Sequence, residues 1–300
     1  MSPIALVLVV TSAALHSTWN LVLKRNHGGI SSYAMMSLVI TLCTFHVQFW
    51  TPVDVFSLPR GFWLCIVGSI AADFMYSLGL FAAYKRLDMS TAYPMMRSLP
   101  IIFTLVITTL LGIGERVSPL ACVGMVVVFV GCVLMPLPSF SHFKLSNYLT
   151  FGMLFVICAA LGTTGYTIFD KLASKTMTDC AQSVAKPLVS VTYYSLRSIT
   201  LTTSLWTMCL LKGDFRRELI PMFKSHGISV AVAGICAGMT YLLVLIAMNY
   251  VSNVSYVQVF RQLALPFGMI AAFIFLKERC TATKLVGVAM ILTGLFLCVV

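Results

Sequence analysis

Charge is scarce in this chain: 10% of its 300 residues are Asp, Glu, Lys or Arg, where a soluble domain carries about 25%. Acid is scarcer still, with 9 Asp and Glu against 20 Lys and Arg. The shortage argues against a water-soluble globular domain. The ten cysteines form no CxxC and no His cluster accompanies them, so neither a zinc site nor a redox pair is read. Eight of the ten lie in apolar runs, where Cys packs as a small hydrophobe. Despite a net charge of +11 there is no basic run and no aromatic-basic platform, so nucleic acid is not a partner. A Walker A loop, a nucleophile elbow, an HxxxxD pattern and metal-ligand spacings are all missing. ATP-driven pumping and the commoner membrane-enzyme chemistries are therefore disfavoured, and no cofactor is implied.

What is present is apolar length. Hydrophobic residues make up 59% of the chain, and a membrane span needs about 20 of them in sequence. Ten such segments run 3–23, 31–50, 61–84, 89–111, 118–138, 148–169, 188–211, 227–249, 253–276 and 282–300. The first reads as a span rather than a leader, because no basic segment precedes it and Lys24 and Arg25 follow it. Apart from Arg97, Arg197 and Arg261, the Lys and Arg lie in loops or at span ends, where they hold against a membrane surface. The expectation is an all-α integral membrane protein with ten transmembrane helices and the lipid bilayer as its surround.

The chain also repeats. Residues 90–133 and 255–299 each hold two apolar runs joined at a Glu-Arg pair. Tyr93 answers to Tyr256, Glu115-Arg116 to Glu278-Arg279, Gly124 to Gly287 and Gly131 to Gly294, all at an offset of 163. Arg97 answers to Arg261 with a one-residue slip, and residues 13–20 lie over 159–166 at an offset of 146. An internal duplication follows. The halves are read as 1–138 and 147–300, with a linker at 139–146 marked by Pro136, Pro138, Ser139 and Ser141. Five spans per half is an odd number, which turns the second half upside down relative to the first: two inverted five-helix repeats, the plan of many secondary transporters.

Three groups of residues carry a resemblance to a known family. They are Arg97-Ser98-Leu99-Pro100 with Gly114-Glu115-Arg116, Lys277-Glu278-Arg279 with Gly287 and Gly294, and the first-span run from His16 to Lys24. Both halves resemble the EamA-type repeat of the drug/metabolite transporter superfamily, over essentially the whole chain. The resemblance implies a carrier for a small-molecule substrate, not an enzyme, and says little about which molecule. The second half departs from the pattern: Gln262-Leu263-Ala264-Leu265-Pro266 follows its arginine, so its proline is displaced.

Polar residues inside spans are costly in hydrocarbon and normally face a bundle interior or cavity. Helical spacing gathers Ser12, His16, Trp19 and Asn20 on one face, and Ser69, Asp73 and Tyr76 on another. It does the same for Tyr93, Arg97, Pro100 and Thr104, for Thr163, Tyr166, Thr167 and Asp170, and for Tyr193, Arg197, Thr200 and Ser204. Tyr256, Gln258, Arg261 and Gln262 spread more widely. The substrate-binding set chosen from these is His16, Trp19, Asn20, Asp73, Tyr76, Tyr93, Arg97, Tyr166, Gln258 and Arg261. Plainer readings stand beside it. Arg97 and Arg261 are near enough to span ends to snorkel, Tyr93 and Tyr256 suit an interfacial belt, and His16 and Asn20 suit interhelical hydrogen bonding. Asp170, beside Lys171, reads as interfacial, and Glu115 as a charge placed for the start of the next helix. The paired glycines read as close helix-packing faces. Asp73 is the deepest acid, and an ion pair with one of the arginines would explain both.

A basic interior with aromatic walls and amides suits a small polar metabolite with a carboxylate or phosphate, such as an amino acid or related organic acid. The alternatives are a multidrug or cation exporter of the same superfamily and an integral-membrane lipid-modifying enzyme. Protons are a candidate coupling ion, with Asp73 the best titratable group for it; facilitated diffusion or exchange is equally open. The plasma (inner) membrane is the expected location. Orientation is contested within the sequence: loops on the side opposite the termini hold 12 Lys and Arg, against 5 on the side of the termini. The positive-inside rule then puts the termini outside, whereas the superfamily resemblance implies cytoplasmic termini.

Overall fold

The computed structural model describes residues 2–24, 29–87, 89–142, 150–276 and 281–299, and at 17–24, 89–91, 142, 226, 271–272 and 275–276 it describes the backbone alone. The described residues are helical, with no β-strand among them. In chain order they are α1 (Pro3–Lys24), α2 (Ile30–Thr44), α3 (Val47–Trp50), α4 (Arg60–Tyr84), α5 (Met89–Leu110), α6 (Pro119–Leu134), α7 (Phe151–Cys180), α8 (Lys186–Leu211), α9 (Gly213–Met248), α10 (Val254–Phe260), α11 (Ala264–Leu276) and α12 (Ala282–Leu297). Five segments are long and apolar enough to cross a membrane: 30–50, 60–84, 92–110, 151–180 and 227–248. Shorter apolar helices accompany them at 3–16, 119–134 and 282–297. Their outward faces carry exposed apolar side chains such as Val67, Val106, Val123, Leu154 and Ile235, as a hydrocarbon surround requires.

Four segments differ from the apolar runs that announce them. The sixth run ends at 169 in hydropathy, yet α7 continues to Cys180, with Ala173, Ser174 and Met177 buried along one face and Lys175 and Asp179 exposed on the other. The eighth begins at Gly213 rather than 227, running through Pro221. The second is interrupted by a turn at Phe45 and His46 between α2 and α3. The ninth is broken into α10 and α11 by a 3-10 turn at Arg261–Leu263. Pro266 explains that break: it has no N–H to give to the carbonyl of Gln262, and its ring crowds that carbonyl. The proposed linker 139–146 falls mostly outside the described residues, as do Glu278 and Arg279.

Helix packing is close and rests on glycine and small hydroxyls. A methyl group at Gly124 would sit 2.5 Å from the carbonyl oxygen of Gly294, and one at Gly294 equally 2.5 Å from that of Gly124. Gly131 and Gly287 stand in the same reciprocal relation at 2.8 Å. As α6 advances from 124 to 131, α12 retreats from 294 to 287, so the two helices are antiparallel. The same reversal holds for α2 and α8, where Thr41 meets Thr202 at 2.8 Å and Thr44 meets Ser198 at 3.1 Å. Gln48 of α3, just beyond α2, donates to the carbonyl of Thr192 at 3.0 Å. It holds again for α5 and α10, where Thr108 meets Ser255 at 3.2 Å and Arg97 reaches the carbonyl of Arg261 at 3.0 Å. α4 lies on α7 with Gly162 against the carbonyl of Ala72, and α1 lies on α9 with Ser12 bonded to the carbonyl of Thr240.

One loop contact fixes the two repeated segments to each other. Asn253 donates to the carbonyls of Ile113 and Glu115 at 3.2 and 2.9 Å, while its own carbonyl oxygen caps α10 by accepting from Ser255 N–H. Gly114 makes the approach feasible: its φ is +81° and a Cβ there would lie 2.6 Å from the carbonyl oxygen of Ser252. Ser118, not Glu115, caps α6, accepting from Ala121 N–H at 3.2 Å.

Candidate functional site

Two polar clusters lie inside the bundle, on either side of a pair of tyrosines. The first is built on α4, α7 and α8. Arg197 is buried, and its Nη2 lies 2.8 Å from Asp73 Oδ2 while its Nε lies 2.9 Å from Asp170 Oδ2. The ion pair expected for Asp73 is therefore made with Arg197, and Asp170 joins it. Asp170 is fully buried rather than interfacial, because α7 runs on beyond it and carries it into the bundle. Its Oδ1 accepts from Ser69 Oγ at 2.5 Å and from the Tyr193 hydroxyl at 2.6 Å, and its Oδ2 from the Tyr241 hydroxyl. Asp73 has fewer donors: the Tyr33 hydroxyl at 2.9 Å on Oδ1 and Arg197 on Oδ2. One cation thus faces two carboxylates.

The second cluster sits where α5 and the α10–α11 break approach α1. Arg97 is placed between Pro94 and Pro100, both inside α5. Its Nη1 lies 2.9 Å from His16 Nε2 and its Nη2 donates to the carbonyl of Arg261 at 3.0 Å. A guanidinium only donates, so His16 accepts through Nε2 and, as a neutral ring, carries its proton on Nδ1. Arg261 Nη1 donates to Gln258 Oε1 at 3.3 Å. Gln262 Nε2 covers the carbonyl of Gln258 at 3.2 Å, close to the point where the helix breaks. Among the described residues neither Arg97 nor Arg261 forms an ion pair. The Nε of Arg97, the Oε1 of Gln262 and the hydroxyls of Ser98 and Thr104 are buried without hydrogen-bond partners.

Tyr166 and Tyr241 separate the clusters, their rings edge to face with centroids 5.7 Å apart. Arg197 lies 4.9 Å from the Tyr241 ring centroid and Arg261 5.9 Å from the same centroid. Tyr76 meets Tyr166 edge to face at 6.1 Å.

Of the residues chosen from sequence, His16, Arg97, Arg261, Gln258, Tyr166 and Tyr76 come together around the second cluster. Asp73 belongs to the first. Tyr93 is half-buried in α5, one turn before Arg97. The side chains of Trp19 and Asn20 lie outside the described residues. The substrate-binding set read from the sequence omits Ser69, Asp170, Tyr193 and Arg197, which the sequence does place on polar helix faces, and Tyr33 and Tyr241, which it does not single out. The spacing of Ser69 to Asp73 and of Tyr193 to Arg197, four residues each, was a usable signal; Tyr33 and Tyr241 had no polar neighbour at helical spacing strong enough to mark them.

A solved crystal structure, described only as that of a protein, superposes with a TM-score of 0.69 at 16% identity, over 98% of this chain and 95% of the other. At that identity the likeness is one of fold. No curated protein matches the chain at a significant level. The family comparison is more specific: residues 150–300, which hold Tyr166, Asp170, Arg197, Tyr241 and Arg261, match the EamA-like transporter family. With half the chain so matched and its apolar helices packed around a polar interior, this multi-pass integral membrane protein belongs to the EamA-like transporter family.

Proposed function

We propose that the chain is a secondary carrier that moves a small anionic or zwitterionic metabolite, such as an amino acid or related organic acid, by alternating access across the plasma (inner) membrane. One observation carries the substrate class: Arg97 and Arg261 lie together in the interior without carboxylate partners, while Arg197 nearby has two. Two unneutralised guanidiniums suit an oxyanion, and the unpartnered Nε of Arg97 offers a further donor for it. Tyr76 and Tyr166 supply apolar walls, and Gln258 an orienting amide.

Alternating access needs two bodies that rock, and these are the halves 1–138 and 147–300, each with five spans. Their inverted relation is supported by direction. By the sequence repeat α2 corresponds to α8, α5 to α10–α11 and α6 to α12, and each member runs antiparallel to its counterpart. The reciprocal glycines speak for a two-fold axis between α6 and α12: the repeat maps Gly124 to Gly287 and Gly294 to Gly131, which turns one contact into the other. Both arginines of the second cluster sit at helix irregularities, where transporters of this plan bind their substrates.

The test is uptake of labelled compounds into proteoliposomes, screening amino acids and organic acids against lipophilic cations. Saturable uptake of an unmodified anion or zwitterion is expected. Uptake of cations alone, or recovery of a chemically altered product, would overturn the reading.

A further inference from the structure

The first cluster has no part in holding an anion, since Asp73 and Asp170 would repel one. Its charges do not balance: Arg197 is one cation, Asp73 and Asp170 are two anions, and all three are buried. A buried surplus charge is expensive unless something neutralises it. The two carboxylates are not equivalent. Asp170 receives three hydroxyl donors, from Ser69, Tyr193 and Tyr241, besides the guanidinium. A carboxylate has about four lone-pair sites, so Asp170 is filled. It is the fixed counter-ion of Arg197. Asp73 has one hydroxyl donor and the guanidinium, which leaves acceptor capacity on the carboxylate.

We infer that Asp73 is a proton-binding site, and that its protonation releases the ion pair that ties the two halves together. Asp73 belongs to 1–138, whereas Arg197 and Asp170 both belong to 147–300. Among the described residues the Arg197–Asp73 contact is the only ion pair between the halves. A proton delivered from water forms an O–H bond at a carboxylate oxygen of Asp73, and the carboxylate goes from one negative charge to none. No other covalent bond changes. Arg197 keeps Asp170, the cluster becomes neutral, and α4 loses its ion pair with α8 while Ser69 still accepts from Arg197 Nε at 3.1 Å. The titratable and charged groups around Asp73 are Tyr33 from α2, Tyr76 from its own helix, Asp170 from α7, and Arg197 and Tyr194 from α8. Of these only Arg197 carries positive charge, and Asp170 already spends it. A protonated Asp73 can turn its new O–H toward the Tyr33 hydroxyl, which accepts as readily as it donates.

The inference leans on the carrier reading only for what the proton drives; proton binding itself needs no substrate and is tested without one. The full-length protein in lipid nanodiscs is titrated from alkaline to mildly acidic pH, and infrared difference spectra are read for the carbonyl stretch of a protonated carboxylic acid in a dry environment. One such band is expected in the wild type and lost in Asp73→Asn, and it should move to lower pH in Asp170→Asn, which leaves Arg197 to Asp73 alone. Asp73→Glu should restore it. Chains fed isotope-labelled glutamate make the assignment independent of Asp73→Asn folding: the label should shift the band in Asp73→Glu and leave the wild-type band unmoved. A band that survives Asp73→Asn, or no band in the wild type, would overturn the assignment. So would suppression of the band by sodium at constant pH, since the site would then take a metal cation in place of the proton. An anion-uptake assay that fails while the band behaves as described would sink the substrate reading and leave the proton site standing.

Discussion

Arg197 of α8 reaches Asp73 of α4 at 2.8 Å, although 124 residues separate them in the chain. Both side chains are buried, so neither snorkels to an interface, and each depends on the other for burial at tolerable cost. Breaking this pair and neutralising it are different perturbations, and they separate structure from mechanism.

Arg197→Met removes the cation and leaves Asp73 and Asp170 facing each other. A loss of about 3–5 kcal/mol is expected, read as a large drop in the thermal midpoint of the purified protein. Arg197→Met combined with Asp73→Asn and Asp170→Asn removes all three charges and should regain much of that stability. No recovery in the triple variant would mean that packing, not charge, sets the cost.

Arg97→Lys keeps the charge and loses the planar fork. Uptake of the anionic substrate should fall by roughly tenfold or more, the equivalent of one charge-assisted hydrogen bond, while protein abundance stays near wild type. Arg261→Lys should act in the same direction and less severely, because its repeat match is poorer. Equal uptake in Arg97→Lys and wild type would leave the arginine a positioning group for His16 and the α10–α11 break.

Gly124→Ala forces a methyl group onto the carbonyl of Gly294, where 2.5 Å is available. Overpacking of this kind costs about 1–3 kcal/mol. Gly61→Ala, with nothing within 4 Å of the new methyl, is the control and should be neutral or slightly stabilising. Thermal unfolding of both, side by side, checks the contrast.

Asn253→Ala loses the cap of α10 and both bonds to the α5–α6 loop, for an expected loss of about 1–3 kcal/mol. Asn253→Asp retains the acceptor for Ser255 N–H but cannot donate to Ile113 and Glu115, so it should fall between the two. Stability of Asn253→Asp equal to wild type would show the loop contact to be dispensable.

If the chain crosses the membrane ten times, as its apolar runs propose, both termini lie on one side. Cysteine-accessibility or tag labelling at each end, in intact cells and in inverted vesicles, should find them together. Opposite exposure of the two ends would exclude an even number of spans.

Much of this was legible in the sequence because hydrocarbon surroundings leave few options. Gly124, Gly131, Gly287 and Gly294 stood out at one offset and do pack backbone to backbone. Asp73 stood out as a deep acid in need of a cation, and it has one. What escaped was set by the interior rather than by lipid. Hydropathy falls at Asp170 and Lys171, so the run seems to end there, yet α7 extends to Cys180 with Ala173, Ser174 and Met177 buried along one face. Apolar runs measure contact with lipid; they do not measure how far a helix continues as an amphipathic one, with its polar side chains outward and a narrow buried face. Arg197 is legible as a mid-span arginine and a candidate partner for Asp73, but spacing along one helix does not show which arginine a distant acid meets. The break at Arg261 was foreshadowed by the displaced proline, which was noticed as a mismatch and not as the cause of a broken helix.

The glycine seam between α6 and α12 has a consequence for motion. When two rigid bodies rock, displacement grows with distance from the pivot, so contacts lying on the pivot change least. A seam of carbonyls against bare Cα atoms has no side chains to unlock and no rotamers to reset, and Gly124 with Gly294 and Gly131 with Gly287 form such a seam. It can serve as a fulcrum at which the halves stay in van der Waals touch throughout a cycle.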